Sequence, residues 1–168
     1  NEVVREIGQT TGLTCSVAIR QGREIFYLVK VEGNETLSLI SSVGKRAPAS
    51  CTGLGKALLS ETSEAELDRL YPTGELPALT EHSITRLDEL KEVLEQIRAQ
   101  GYSTEHEESG PGVACAAGII RDVAGAPVAA LSVSMPVARW EQEPEQHWAD
   151  IAIEGADRLS EQLGWRHG

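Results

Sequence analysis

Between Gly101 and Gly125 the chain reads GYSTEHEESGPGVACAAGIIRDVAG, and this stretch restricts the fold more than any other. Gly101 is a helix stop. Tyr102–Glu108 is an acidic strand, and Gly110-Pro111-Gly112 forces a loop. Val113–Arg121 then runs as a strand of unusually small residues. Asp122–Gly125 turns it back into a further strand, Pro127–Met135. Strands this small leave space at their hairpin. Space lined by a few polar groups is where small molecules bind.

The remaining pattern predicts what surrounds that hairpin. Residues 2–10 read as the end of a helix closed by Gly12. Leu13–Gln21, Glu24–Val31 and Thr36–Val43 read as an antiparallel meander, with turns at Gly22 and Gly33-Asn34. A Pro-containing loop leads to a short helix near Thr52 or Gly53. Ser63-Glu-Ala-Glu66 is a capping box for a helix that Pro72 bounds, and Thr85–Asp88 caps another. This last helix carries Leu87, Leu90, Leu94 and Ile97 as an apolar stripe. Glu141–Gly164 reads as one long terminal helix with Trp148, Ile151, Ala152, Ala156, Leu159 and Leu163 inside. The expected class is one α+β domain over residues 1–168, with about six antiparallel strands flanked by helices.

Alternation puts Cys115, Ala117 and Ile119 on one face of their strand, and Ala130, Ser132 and Ser134 on one face of the next. Two readings stand. These residues floor a cavity, or the serines face solvent. Glu105 is placed to point over the same serine face, with His106 and Glu108 on the other. Upstream, Ser50-Cys-Thr-Gly53-Leu54-Gly55-Lys56 is a glycine turn entering a helix, whose free amides suit a carboxylate or phosphate. It is not a phosphate-binding Walker loop, because Ser50 and Ala57 stand where glycine and a hydroxyl residue are required. The run Glu105-His106-Glu107-Glu108 lacks a second histidine cluster, so no metal site is expected.

The net charge of −11 makes a poor direct binder of nucleic acid, and Lys45-Arg46 is the one exposed-looking basic pair outside helices. No segment approaches a membrane span. Three cysteines, Cys15, Cys51 and Cys115, lack pair spacing, which points to a reducing cytoplasm. Cys51 near a helix start is the one position where a lowered thiol pKa is expected. Without a partnering His–Asp pair, inert thiols are the simpler reading.

Together these elements resemble the effector-binding domain of the IclR family of bacterial transcription regulators. Gly101, Glu108, Cys115, Ala117, Ile120 and Asp122 stand at the spacings of the family signature. Gly53-Leu-Gly55-Lys56-Ala57 matches its helix start, and Ala130-Leu-Ser132-Val-Ser134-Met-Pro136 its closing strand. The chain departs from the pattern at Glu105, where Asp or Ser is usual, at Ala116 and at Arg121. The resemblance implies a GAF-like fold, no enzymatic activity and no cofactor. It implies an effector, an organic acid, held by Gly53, Leu54, Glu105, Cys115, Ser132 and Ser134. It also implies a homodimer or homotetramer; the long terminal helix and the exposed-looking Trp140 and Trp165 read either as interface elements or as core packing. Operator DNA is then reached only through an N-terminal winged helix-turn-helix absent from this chain, residues 1–12 being the end of the joining helix. Two rivals remain: a cysteine-dependent GAF-fold reductase, and a ligand-free dimerisation module.

Overall fold

The computed structural model describes residues 1–33 and 43–166. Six strands form one antiparallel sheet: β1 (Thr14–Gln21), β2 (Glu24–Val31), β3 (Arg46–Pro48), β4 (Ser103–His106), β5 (Val113–Arg121) and β6 (Pro127–Pro136). Their spatial order is β3-β2-β1-β6-β5-β4. The hairpins β1–β2 and β5–β6 are therefore joined back to back through β1 and β6. The third strand expected at 36–43 lies, but for Val43, outside the described residues. The strand that fills the edge is β3, in what reads from sequence as a proline loop. It pairs through Glu24↔Pro48 and Phe26↔Arg46, an edge position that tolerates proline.

Helices cover both faces. On one side lie α2 (Gly53–Leu59), α3 (Glu64–Leu70) and α4 (Leu87–Gln100), with Leu54, Leu58, Leu90, Leu94 and Ile97 packed over Ala18, Ile25, Ala117 and Ala130. On the other lie α1 (Glu2–Thr11) and α6 (Glu145–Gln162), with Val4, Ile7, Trp148, Ala152 and Ala156 over Cys15, Ala116, Leu131 and Val133. The serine face is thus not a solvent face. Small residues of β5 serve both layers. A Cβ on Gly118 would stand 3.2 Å from the Ala152 carbonyl and from Ala156 Cβ. The α6 backbone therefore lies almost on the strand, and the alternate residues Ala114, Ala116 and Gly118 are small for that reason.

Element ends follow local chemistry with three corrections. Ser63 accepts from the Glu66 amide as its capping pattern predicts, and Gly12 and Gly101 close their helices at φ 74° and 85°. Thr85, however, does not cap α4. Its carbonyl accepts from Leu76 N in a bridge with residues 75–76, so the helix starts at Leu87 behind Arg86 without a side-chain cap. The terminal helix is broken. A short α5 (Val137–Trp140) precedes α6, whose N-cap is Pro144, since proline opens a helix but cannot sit inside one. Leu163 consequently falls beyond α6 and is half exposed. Trp140 stacks on Trp148 at 6.4 Å and accepts its indole N–H through the Trp140 carbonyl, so it is half-buried, as is Trp165. Among the described residues no helix is long and apolar enough to cross a membrane.

All seven residues of α2 are buried. Gly55 makes this possible, because a Cβ there would stand 2.1 Å from the Ala49 carbonyl oxygen. Gly→Ala in a helix ordinarily stabilises by up to about 1 kcal/mol. Here overpacking against backbone reverses the sign. Gly55→Ala should lose about 1–3 kcal/mol, read as a lowered midpoint in urea denaturation.

A cavity between the glycine helix and the serine strands

Register places the candidate residues in two adjacent rows across the sheet. One row runs Thr14–Ser134–Cys115–Glu105, the next Ser16–Ser132–Ala117–Ser103, along β1, β6, β5 and β4. Over these rows sits the start of α2. The approach is tight, for a Cβ on Gly53 would lie 2.4 Å from Cys115 Sγ. Thr52 caps α2 by accepting from Gly55 N at 2.9 Å. The amides of Gly53 and Leu54 precede the intrahelical ladder, and that of Gly53 is directed at the Cys115 sulfur.

Between helix and sheet remains a cavity of about 130 Å³. Gly53, Leu54, Glu105, Cys115, Ser132 and Ser134 all line it. Its wall also includes Ser16, Tyr27, Thr52 and Ser109, which pattern alone did not single out. Arg46 contributes to the rim, yet its guanidinium lies 5.3 Å over the Phe26 ring and 3.7 Å from Glu24. Ser132 and Ser134 are nine-tenths buried or more, and both line the cavity.

Glu105 is 3 % exposed. Its Oε2 accepts from Ser109 N at 2.7 Å and from Ser109 Oγ, while Oε1 faces Cys115 Sγ at 3.8 Å. Burial pushes this carboxyl up; the Ser109 donors pull it back, Glu108 adds to the rise and Lys56 opposes it. The alternation expected for 105–108 fails after His106. Glu107 takes φ 58°, and Glu108 swings to Lys56 instead of sharing a face with His106. The Lys56 ammonium, 3 % exposed, meets both Glu108 oxygens at 2.8 and 2.9 Å. Ser83 Oγ donates to the Glu108 carbonyl at 2.7 Å, and Thr80 Oγ to that of Glu107. This fixes the loop that carries Ser109.

The cysteines are not activated. Burial drives Cys115 well above its ordinary value, and the Glu105 charge adds to this. Burial drives Cys15 to about 12. Cys51 is raised by burial as well, against the lowering expected of a helix start; its thiol lies 3.3 Å from the Pro77 carbonyl. Cys15 packs on the far side of the sheet from Cys115. No metal-holding cluster of His, Cys, Asp and Glu occurs among the described residues.

The family described as "Bacterial transcriptional regulator IclR C-terminal" matches residues 1–161. The chain belongs to the IclR family. It is 34% identical over 158 residues to the HTH-type transcriptional regulator BhcR of Paracoccus denitrificans, covering 94% of this chain and 57% of that protein. It is 31% identical over 162 residues to the regulator KdgR of Escherichia coli, covering 96% and 62%. The crystal structure of the Thermotoga maritima IclR superposes with a TM-score of 0.90 at 32% identity, over 98% of this chain and 66% of that one. The chain thus spans about three-fifths of the length of these curated relatives. They are named as regulators and not as enzymes.

Two outcomes follow from the buried charges of this IclR domain. Lys56→Met strands Glu108 without its cation and should cost about 3–5 kcal/mol, while adding Glu108→Leu should restore most of the loss in urea titrations. Glu105 has a folded pKa above its ordinary 4.5. Both states are protonated below 4.5, and stability falls as pH rises from there through the folded value. Glu105→Gln removes this loss. Its melting temperature relative to the parent should therefore climb above pH 4.5, and a pH-independent difference would contradict the assignment.

Proposed function

We propose that this domain is the effector sensor of a transcription regulator and that its effector is a small carboxylate. The carrying observation is the convergence of six residues on one cavity, the buried Ser132 and Ser134 among them. Buried hydroxyls of that kind are matched by a ligand or by water. The carboxylate lies against the Gly53 and Leu54 amides, where the α2 backbone is open. Ser132 and Ser134 bond its other oxygens, and Cys115 packs on its carbon skeleton. Glu105 accepts from a ligand hydroxyl, or carries a proton when it meets a carboxylate.

Coupling to regulation runs through Ser109. A ligand group that takes Glu105 Oε2 competes with Ser109, whose loop is fastened to α2 by Glu108 and Lys56. The ligand acts only by preferring one arrangement of this loop and its assembly over another. That assembly is a homodimer or homotetramer. Operator DNA is contacted by a separate N-terminal winged helix-turn-helix, consistent with the −11 charge of this domain.

A thermal-shift screen of small carboxylates and aromatic acids tests the reading. A ligand at 100 times its dissociation constant should stabilise by about 2.7 kcal/mol. Ser132→Ala with Ser134→Ala should abolish the shift. An unchanged shift in that variant, or no stabilising acid at all, would overturn the assignment.

A further inference from the structure

We propose that a cleft beside the last residues of β5 is a second ligand site, and that it takes a free α-amino acid with a large apolar side chain. The cleft shares no lining residue with the cavity under Gly53 and does not depend on the reading given to that cavity. It exists because β4 is short. The pairing of β4 with β5 ends at Ser103↔Ala117. The next partner would be Gly101, opposite Ile119, but Gly101 takes φ 85° to close α4 and stands outside the sheet. What remains is an open stretch of β5 around a cavity of about 310 Å³. The ends of α2 and α4 wall it on one side and α6 on the other.

The open edge offers main-chain groups. The Val113 carbonyl accepts from Glu107 N, so the odd-numbered residues of β5 turn their N–H and C=O away from β6. At Arg121 a side chain takes the place of a neighbouring strand, because Ser160 Oγ accepts from Arg121 N at 2.8 Å. At Ile119, which lines the cleft, the N–H and C=O are directed into it. One residue of an antiparallel partner satisfies such a pair with its own C=O and N–H. An α-amino acid presents the same two partners as carboxylate and ammonium. The walls carry both signs of charge. Arg98 donates to a neutral acceptor, the Ser60 carbonyl, at 3.0 Å, while Arg121 binds Glu61 and the Gly125 carbonyl. Asp157 lines the α6 side. An anion alone meets Glu61 and Asp157, and a cation alone meets the two arginines. A zwitterion is attracted by both sets. Ile97, Ile119 and Ile153 add an apolar wall. A cavity of roughly 150 Å³ is filled by a six-carbon ring. At about 310 Å³ the cleft has room for a ring or branched side chain together with the main-chain atoms of one residue.

Titration of the isotope-labelled chain with L-phenylalanine at neutral pH, followed by amide NMR, tests the proposal. The Ile119 amide and the Arg98 side-chain N–H signals should shift saturably, while those of Gly53 and Leu54 stay in place. Phenylpropanoate, which lacks the ammonium, and phenethylamine, which lacks the carboxylate, should each bind at least about threefold more weakly, as expected for one lost hydrogen bond. Arg98→Met should weaken L-phenylalanine by a similar factor without weakening phenethylamine, and Arg98→Lys, which keeps the charge, should retain most of the affinity. Circular dichroism checks that both variants fold. Shifts confined to Gly53 and Leu54, equal affinity for the two analogues and L-phenylalanine, or no saturable shift at all would each overturn the second site.

Discussion

A single buried cation organises the site. Lys56 lies in a helix with no exposed face, and an ammonium in such a place must be paired or lose its proton. Glu108 provides the pair, and to do so the chain leaves its strand at His106 and passes through the left-handed region at Glu107. The loop bent in this way delivers Ser109 to Glu105. The ion pair itself adds little net stability, since desolvation consumes most of its attraction. Its effect is geometric. It decides where the loop stands, and so which oxygen of Glu105 faces the cavity.

The second constraint is closeness. Gly53 touches Cys115, Gly55 touches Ala49, and Gly118 touches α6. The first brings the start of α2 unusually near β5 on the cavity's side of the sheet, and the last brings α6 close on the other face. The cavity's polar groups are main-chain amides, short hydroxyl side chains and Glu105, set among apolar neighbours such as Leu54, Leu79 and Val113.

Much of this was legible in the amino-acid order. Alternation alone set Cys115 and Ala117 beside Ser132 and Ser134, because a hairpin closed at 122–125 has a nearly fixed register. The glycine turn at 53–55 advertised a backbone that must be approached closely. Ser16 was not legible, because its partnership with Ser132 depends on which distant strands become neighbours. Nor was Glu108, whose partner was settled by one residue of positive φ that breaks the alternation. The small residues of β5 carried two messages in one composition. Half answer to the cavity and half to α6, and only the structure separates them.

The pairing of Ser16 with Ser132 joins segments from opposite parts of the chain, and β1 and β6 are the seam between two hairpins. Contacts so distant in sequence carry a large loop-closure entropy. The floor of the cavity is complete only once the two hairpins have docked. Each hairpin alone carries part of the hydroxyl row, Ser16 on one and Ser132 with Ser134 on the other, so the wall of the cavity is shared between two units that local pairing alone does not join.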